Sequence, residues 1–107
     1  MRVVNTGTVT LTGTSWGATI ELLGATISLI QAPAALTSTK LNVQSSMDGS
    51  TWVVMQKDGN DHQITVAQGK STKIDPNDFA GVPYVRFQPG SDESTNQRVF
   101  KYALSEI

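Results

Sequence analysis

Apolar and polar residues alternate along most of this chain, and the alternation has a period of two. The run Thr8–Thr12 places Val9 and Leu11 on one side of an extended chain and is bounded by Gly7 and Gly13. Further runs of this kind lie at 15–23, 25–31, 40–46, 52–57, 63–66, 71–74, 84–87 and 98–104. A period of two is that of half-buried strands, so the sequence predicts a chain built mainly from β-strands.

Turn-forming residues divide these runs at regular intervals. Glycines at positions 49, 59, 69, 81 and 90 are nine to twelve residues apart, and no long helical period lies between them. That spacing is typical of an antiparallel β-sandwich or barrel. The segment 89–96 is polar and long enough to be a mobile loop.

The most strongly predicted turn lies at Ser46–Trp52. Asp48 can accept hydrogen bonds from its own backbone two residues on, and Gly49 takes a positive φ without strain. Extended runs flank the turn on both sides, so the sequence predicts a β-hairpin. Trp52 is followed by Val53 and Val54, and these apolar neighbours favour a position in the core.

Size and charge limit the functions open to this chain. Its 107 residues suit one domain, which we predict to span 1–107, with residues 1–6 able to form an N-terminal arm. Eight basic and nine acidic residues give a net charge of -1, which disfavours nucleic acid and anionic membranes as partners. There is no cysteine, so disulfides and thiol nucleophiles are excluded.

Charge is distributed unevenly along the chain. Residues 1–46 carry only Arg2, Glu21 and Lys40, whereas the rest carries 14 of the 17 charged side chains. A charge-poor, threonine-rich region suits a permanent protein contact, because such contacts are depleted in charge at their centres. An ordinary threonine-rich sandwich face would have the same composition, and both interpretations stay open.

Three polar clusters could carry chemistry, but a structural role is favoured for each. Residues 13–17 match Gly-x-Ser-x-Gly, the nucleophile elbow of a hydrolase, without the large parallel-sheet domain which that motif requires. His62, the only histidine, is predicted to be a solvated turn residue. Residues 58–61 could bind calcium but lack the bidentate glutamate of an EF-hand. We therefore predict no catalytic residue, no cofactor and no metal site.

Four aromatic residues suggest a different function. Trp16, Trp52, Tyr84 and Tyr102 could together form a platform on which a sugar stacks, so a carbohydrate-binding module is the main alternative. Core packing is favoured for Trp52 and Tyr102, which lie in apolar runs. Trp16 lies between a serine and a glycine and is predicted to be exposed.

Arg86 interrupts an apolar strand. It either points outward beside Tyr84 or pairs with an acidic residue such as Asp48 or Asp78. We favour the pair with an acidic residue.

Part of the chain resembles a known group of proteins. The residues that carry the resemblance are Ser46-x-Asp48-Gly49-x-x-Trp52, Gly69-Lys70 and Asp78-Phe79-Ala80-Gly81-x-Pro83-Tyr84-Val85-Arg86. Over about Lys40–Phe87 they resemble the jelly-roll β-sandwiches of the discoidin and galactose-binding-like type. The short length, the lack of cysteine and the charge-poor first third look most like small head decoration, or cement, proteins of tailed phages.

The resemblance implies a fold, a place and a partner. It implies a single antiparallel sandwich of jelly-roll type with about eight strands, and a non-enzymatic virion protein that is made in the host cytoplasm. Such a protein binds the major capsid protein and its own copies on the outside of the shell, and it stabilises the shell. The residues predicted to meet these partners are Met1, Arg2, Val3, Val4, Asn5 and Trp16.

Overall fold

The computed structural model of this chain describes residues 2–106, which form eleven strand segments and one short helix. The strands are β1 (Val3–Thr12), β2 (Ile20–Glu21), β3 (Thr26–Gln31), β4 (Lys40–Ser46), β5 (Val53–Val54), β6 (Gln56–Lys57), β7 (Asn60–Asp61), β8 (Gln63–Thr65), β9 (Ser71–Lys73), β10 (Tyr84–Pro89) and β11 (Gln97–Ser105), and the helix is α1 (Pro76–Phe79). The predicted all-β sandwich is confirmed. The described residues include no helix long and apolar enough to cross a membrane.

Nine of the strands form two antiparallel sheets, and β6 and β7 form a separate two-stranded ribbon. Sheet A has the order β1-β11-β3-β9, and sheet B has the order β2-β10-β4, with β5 and β8 both paired to the far side of β4. β5 and β8 therefore share one position, which leaves eight positions in two sheets. The chain crosses repeatedly from one sheet to the other, and its last two strands insert between earlier ones, as in a jelly roll.

The core lies between the two sheets. Val9 and Leu11 of β1 face inward with Phe100 of β11, as the alternation predicts, and meet Val85 and Phe87 of sheet B. Tyr102 packs partly against the same core, which agrees with the sequence-based prediction. The inward residues bury apolar area from both sheets, and this burial is the main driving force for folding.

The predicted hairpin is confirmed at β4 and β5. One carboxylate oxygen of Asp48, Oδ1, accepts hydrogen bonds from the backbone N–H groups of Ser50 (2.8 Å) and Thr51 (2.9 Å), and Gly49 has a φ of 82°. These hydrogen bonds lower the pKa of the Asp48 carboxyl. A second tight turn joins β6 to β7 through Asp58 and Gly59, which both have positive φ. That geometry explains the polar cluster at 58–61 as turn chemistry.

The described part of the predicted arm, residues 2–6, lies along the sheet. Residues 3–6 belong to β1, and β11 pairs with β1 from Val3↔Ser105 to Thr12↔Gln97. The backbone of Glu106 also donates a hydrogen bond to the carbonyl of Arg2 (3.0 Å). The backbone hydrogen bonds available from β11 explain why these residues extend the sheet. Met1 lies outside the described residues.

Candidate functional site

The outward side of sheet B carries a compact group of polar side chains. We call it the polar face, and it consists of Asn42, Gln44, Gln63, Arg86 and Gln88. These residues come from β4, β8 and β10, and strand pairing sets Asn42 opposite both Gln88 and Gln63, and Gln44 opposite Arg86. Their inward neighbours on the same strands are core residues, so the period of the strands directs these five side chains to the surface.

Three amides of the polar face form a continuous hydrogen-bonded line, here called the amide row. Gln63 Nε2 donates to Asn42 Oδ1 (2.8 Å), and Asn42 Nδ2 donates to Gln88 Oε1 (2.9 Å). Gln88 Nε2 then donates to the backbone carbonyl of Thr14 (2.7 Å). A carbonyl oxygen can only accept, so Thr14 sets the direction of the whole row.

Arg86 lies beside the amide row and contacts both tryptophans. Its guanidinium carbon is 5.2 Å from the ring centre of Trp16 and 4.4 Å from that of Trp52. Its Nε donates to Gln44 Oε1 (2.8 Å). The predicted pair with an acidic residue is therefore wrong, because cation–π contacts and an amide take its place.

The two tryptophans are both half-buried and both lie on the outward side of sheet B. The predicted core position of Trp52 is wrong. Val53 and Val54, which suggested it, are 62% and 48% exposed on the short outer strand β5. An apolar run at a sheet edge need not be buried. Trp52 packs against the guanidinium of Arg86 on the outer surface of sheet B.

A shallow cavity of about 210 Å³ opens at the amide row. Trp16 forms part of its wall, Asn42, Gln63 and Gln88 contribute amides, and Asp61 contributes a carboxylate. Trp52 is not among the described residues that line it. The cavity therefore combines the indole of Trp16 with several hydrogen-bonding groups.

His62 lies under this cavity and is buried, with 8% of its surface exposed. Its ring stacks on Phe79 with a centroid separation of 5.6 Å, and its Nε2 is 3.8 Å from Asp78. Burial lowers the pKa of the imidazole. The predicted solvated turn position is wrong, because His62 shares the inward face of its strand region with Ile64 and Val66.

A second polar cluster is centred on a carboxylate that is closed to solvent. In this Glu93 cluster, Glu93 is 1% exposed and accepts hydrogen bonds from Thr37 N (3.0 Å), Ser38 N (2.6 Å), Ser38 Oγ (2.5 Å) and Arg98 Nε (2.8 Å). Burial alone would raise the pKa of the Glu93 carboxyl, but these donors together lower it to about 2. The loop that we expected to be mobile is thus held to the rest of the fold by a buried carboxylate.

The residues predicted to meet a partner do not form one patch. Arg2, Val3, Val4 and Asn5 are exposed at the start of β1, with Val3 54% and Val4 49% exposed. Trp16 follows the other end of β1, and ten strand residues span about 30 Å. Met1 is not among the described residues.

The edge of sheet A offers a second candidate surface. β1 is ten residues long, and among the residues described β11 is its only strand partner. Its outward threonines Thr6, Thr8 and Thr10 are exposed. We call this surface the β1 edge.

The Gly-x-Ser-x-Gly segment at 13–17 does not have the surroundings of a nucleophile elbow. The turn at 12–15 is followed by extended chain along β10, with Gly17 N donating to the carbonyl of Phe87 (2.8 Å), and not by the helix of a nucleophile elbow. Residues 2–106 hold no group of three His, Cys, Asp or Glu side chains that could bind a metal ion.

No protein-family model matches this chain, and no curated protein matches it. The candidate surfaces are therefore those that the fold itself presents, the polar face of sheet B and the β1 edge of sheet A.

Proposed function

We propose that this chain is a structural protein of a tailed-phage virion, a head decoration protein that binds the outside of the capsid and stabilises the shell. Its partners are the major capsid protein and neighbouring copies of the chain, and neither nucleic acid nor a membrane is involved. The observation that carries the proposal is the β1 edge, a long, uncharged strand at the border of sheet A.

An edge strand presents unpaired N–H and C=O groups to any other strand that approaches it. Soluble proteins usually protect such edges with lysine, proline, a bulge or a very short strand. β1 has neither a charged residue nor a proline, and its one irregularity lies between Val3 and Asn5. Residues 5–12 therefore form an unprotected edge, which favours a strand or surface of a partner as its cover.

The composition of β1 suits a permanent contact. The exposed threonines at 6, 8 and 10 offer neutral hydroxyl and methyl groups, and Val3 and Val4 add exposed apolar area at one end. A neutral surface has no charge to desolvate when it is covered. Repetition on a symmetric shell then strengthens the attachment, because several weak contacts act at once.

The experiment adds purified protein to shells that lack it and measures co-sedimentation and the heat resistance of the shells. We expect saturable binding and increased heat resistance. Replacing Thr8 and Thr10 together by Lys should weaken binding at least about tenfold, since two charges would have to be buried at the contact.

Ser71→Lys is the matched control, because Ser71 is exposed on β9 at the opposite edge of the same sheet. It should leave binding to shells unchanged. If the wild-type protein does not bind shells, the decoration role is wrong. If the Thr8 and Thr10 double variant binds as the wild type does, the β1 edge is not the contact.

A further inference from the structure

We propose that the cavity on the polar face binds one uncharged sugar ring, with Trp16 as the stacking wall and the amide row as the hydrogen-bonding floor. This goes beyond the docking role, because the cavity lies on sheet B and the β1 edge belongs to sheet A. The outward sides of two packed sheets point away from each other, so both surfaces can be used at once.

The hydrogen-bonding capacity of the amide row matches sugar hydroxyls. Each amide nitrogen in the row carries two N–H groups, and each uses one of them within the row. Asn42, Gln63 and Gln88 therefore each keep one further N–H donor. Gln63 Oε1 and the exposed carboxylate of Asp61 are acceptors beside them. A hydroxyl group both donates and accepts, so a polyol ring can use both kinds of group.

The amides are already oriented before any ligand arrives. The carbonyl of Thr14 fixes the amide of Gln88, which in turn fixes Asn42 and Gln63. A binding site built from pre-ordered side chains loses little conformational entropy when a ligand binds. The row therefore presents its remaining donors in a set pattern across three strands.

Trp16 supplies the stacking surface of the site, and Val43 and Val54 add apolar area beside it. It lines the cavity and is held by the guanidinium of Arg86, 5.2 Å from its ring centre. A pyranose ring has apolar C–H faces that pack on an aromatic ring, and its hydroxyls project at the edges towards polar groups. Trp16 and the amide row provide this combination within one cavity.

Size and charge narrow the class of ligand. The cavity of about 210 Å³ is smaller than the roughly 300–1,000 Å³ of pockets for drug-sized ligands. It therefore suits a single ring. The carboxylate of Asp61 at the cavity disfavours anionic rings, and the N–H donors left on the amide row match neutral hydroxyl groups.

The test is a titration of the full chain, followed by NMR, with methyl glycosides of glucose, galactose, mannose and N-acetylglucosamine. Sorbitol is the matched ligand control, since it carries hydroxyls but no ring to stack. We expect at least one glycoside to shift the indole signal of Trp16 and the side-chain amide signals of Asn42 and Gln88. Binding by one ring should be weak, with a Kd on the order of millimolar.

Two tryptophan variants separate the contribution of the cavity wall from that of the contact with Arg86. Trp16→Ala should weaken binding at least about tenfold, which is about 1.4 kcal/mol. Trp52→Ala is the control, because Trp52 contacts the same arginine but does not line the cavity. It should leave the Kd within about twofold of the wild-type value.

If no glycoside shifts these signals, or if Trp16→Ala binds as the wild type does, the proposal is overturned. An equal response to sorbitol would also overturn it, because stacking would then contribute nothing. Should Trp16→Ala fail to fold, Asp61→Ala and Gln63→Ala decide in its place, since both side chains are exposed, and at least one must weaken binding. Failure of sugar binding would leave binding to shells through the β1 edge unaffected.

Discussion

The Glu93 cluster and the amide row are both polar networks, but one is closed and the other is open. Glu93 is 1% exposed, and four donors from three residues meet its two carboxylate oxygens. The amide row lies on the surface, and each of its three amides uses only part of its capacity. A buried network must be fully satisfied, because an unpaired buried group is costly. An open network can keep donors for a ligand.

This contrast assigns different roles to the two networks. The Glu93 cluster joins the loop before β11 to Thr37 and Ser38 before β4, so it holds distant parts of the chain together. The amide row joins strands that the sheet already pairs, so the fold needs it less. We therefore expect the closed network to determine stability and the open one to determine binding.

The largest effect should come from Glu93→Gln. This change leaves Arg98 without its ionised partner, and breaking a buried ion pair costs about 3–5 kcal/mol. The fold lowers the pKa of the Glu93 carboxyl from 4.5 to about 2. The ionised Glu93 therefore stabilises the wild-type fold in full above about pH 4.5. That contribution, about 3 kcal/mol, should disappear as the pH falls towards about 2.

Urea unfolding at a series of pH values measures both effects. The Glu93→Gln variant should have a lower free energy of unfolding near neutral pH and a flatter acid limb. Asp92→Asn is the matched control, since Asp92 is exposed in the same loop, and should change stability by less than about 0.5 kcal/mol. If both variants lost a similar free energy of unfolding, the buried hydrogen bonds of Glu93 would contribute no more to stability than the exposed side chain of Asp92.

A smaller effect is expected from Arg86→Met. Methionine keeps an unbranched side chain but removes the cation–π contacts with both tryptophans and the hydrogen bond to Gln44. The free energy of unfolding should fall by about 1–2 kcal/mol. Urea unfolding followed by tryptophan fluorescence reports on stability and on the rings themselves. Lys40→Met, at an exposed site on β4, is the control, and equal losses in both variants would contradict a structural role for Arg86.

The smallest effect should come from Gln63→Ala, at the exposed end of the amide row. The free energy of unfolding should change by no more than about 0.5 kcal/mol, because water replaces the lost hydrogen bond. The same urea titration measures it. If Gln63→Ala lowered the free energy of unfolding as much as Arg86→Met does, the amide row would stabilise the fold as the Glu93 cluster does. The contrast between the two networks would then be wrong.

The strands and turns could be predicted from the local alternation of apolar and polar residues. The residues that form the polar face could not, because tertiary packing brings them together. The alternation at Val9 and Leu11 and the Asp48-Gly49 turn rest on neighbours in sequence, so both were predictable. The amide row joins positions 42, 63 and 88, which only strand register brings together. His62 could have been placed by extending the alternation of Ile64 and Val66 one step towards the N-terminus.

Two further features left little trace in the sequence. Nothing in the polar stretch around Glu93 distinguishes its carboxylate from the exposed Asp92 beside it, because its donors lie far away along the chain. Trp52 was misplaced because its apolar neighbours form an edge strand, where burial does not follow from hydrophobicity. In both cases the deciding contacts come from residues remote in sequence.

The pairing of Val3 with Ser105 brings the first and last strands to a common corner. There the Nη2 atom of Arg2 is 3.4 Å from the Oε2 atom of Glu106. A short peptide linker could therefore join 106 to 2, and the chain could be reopened at the exposed Asp58-Gly59 turn without interrupting a strand. A permuted protein of this kind would have its new ends at the turn between β6 and β7.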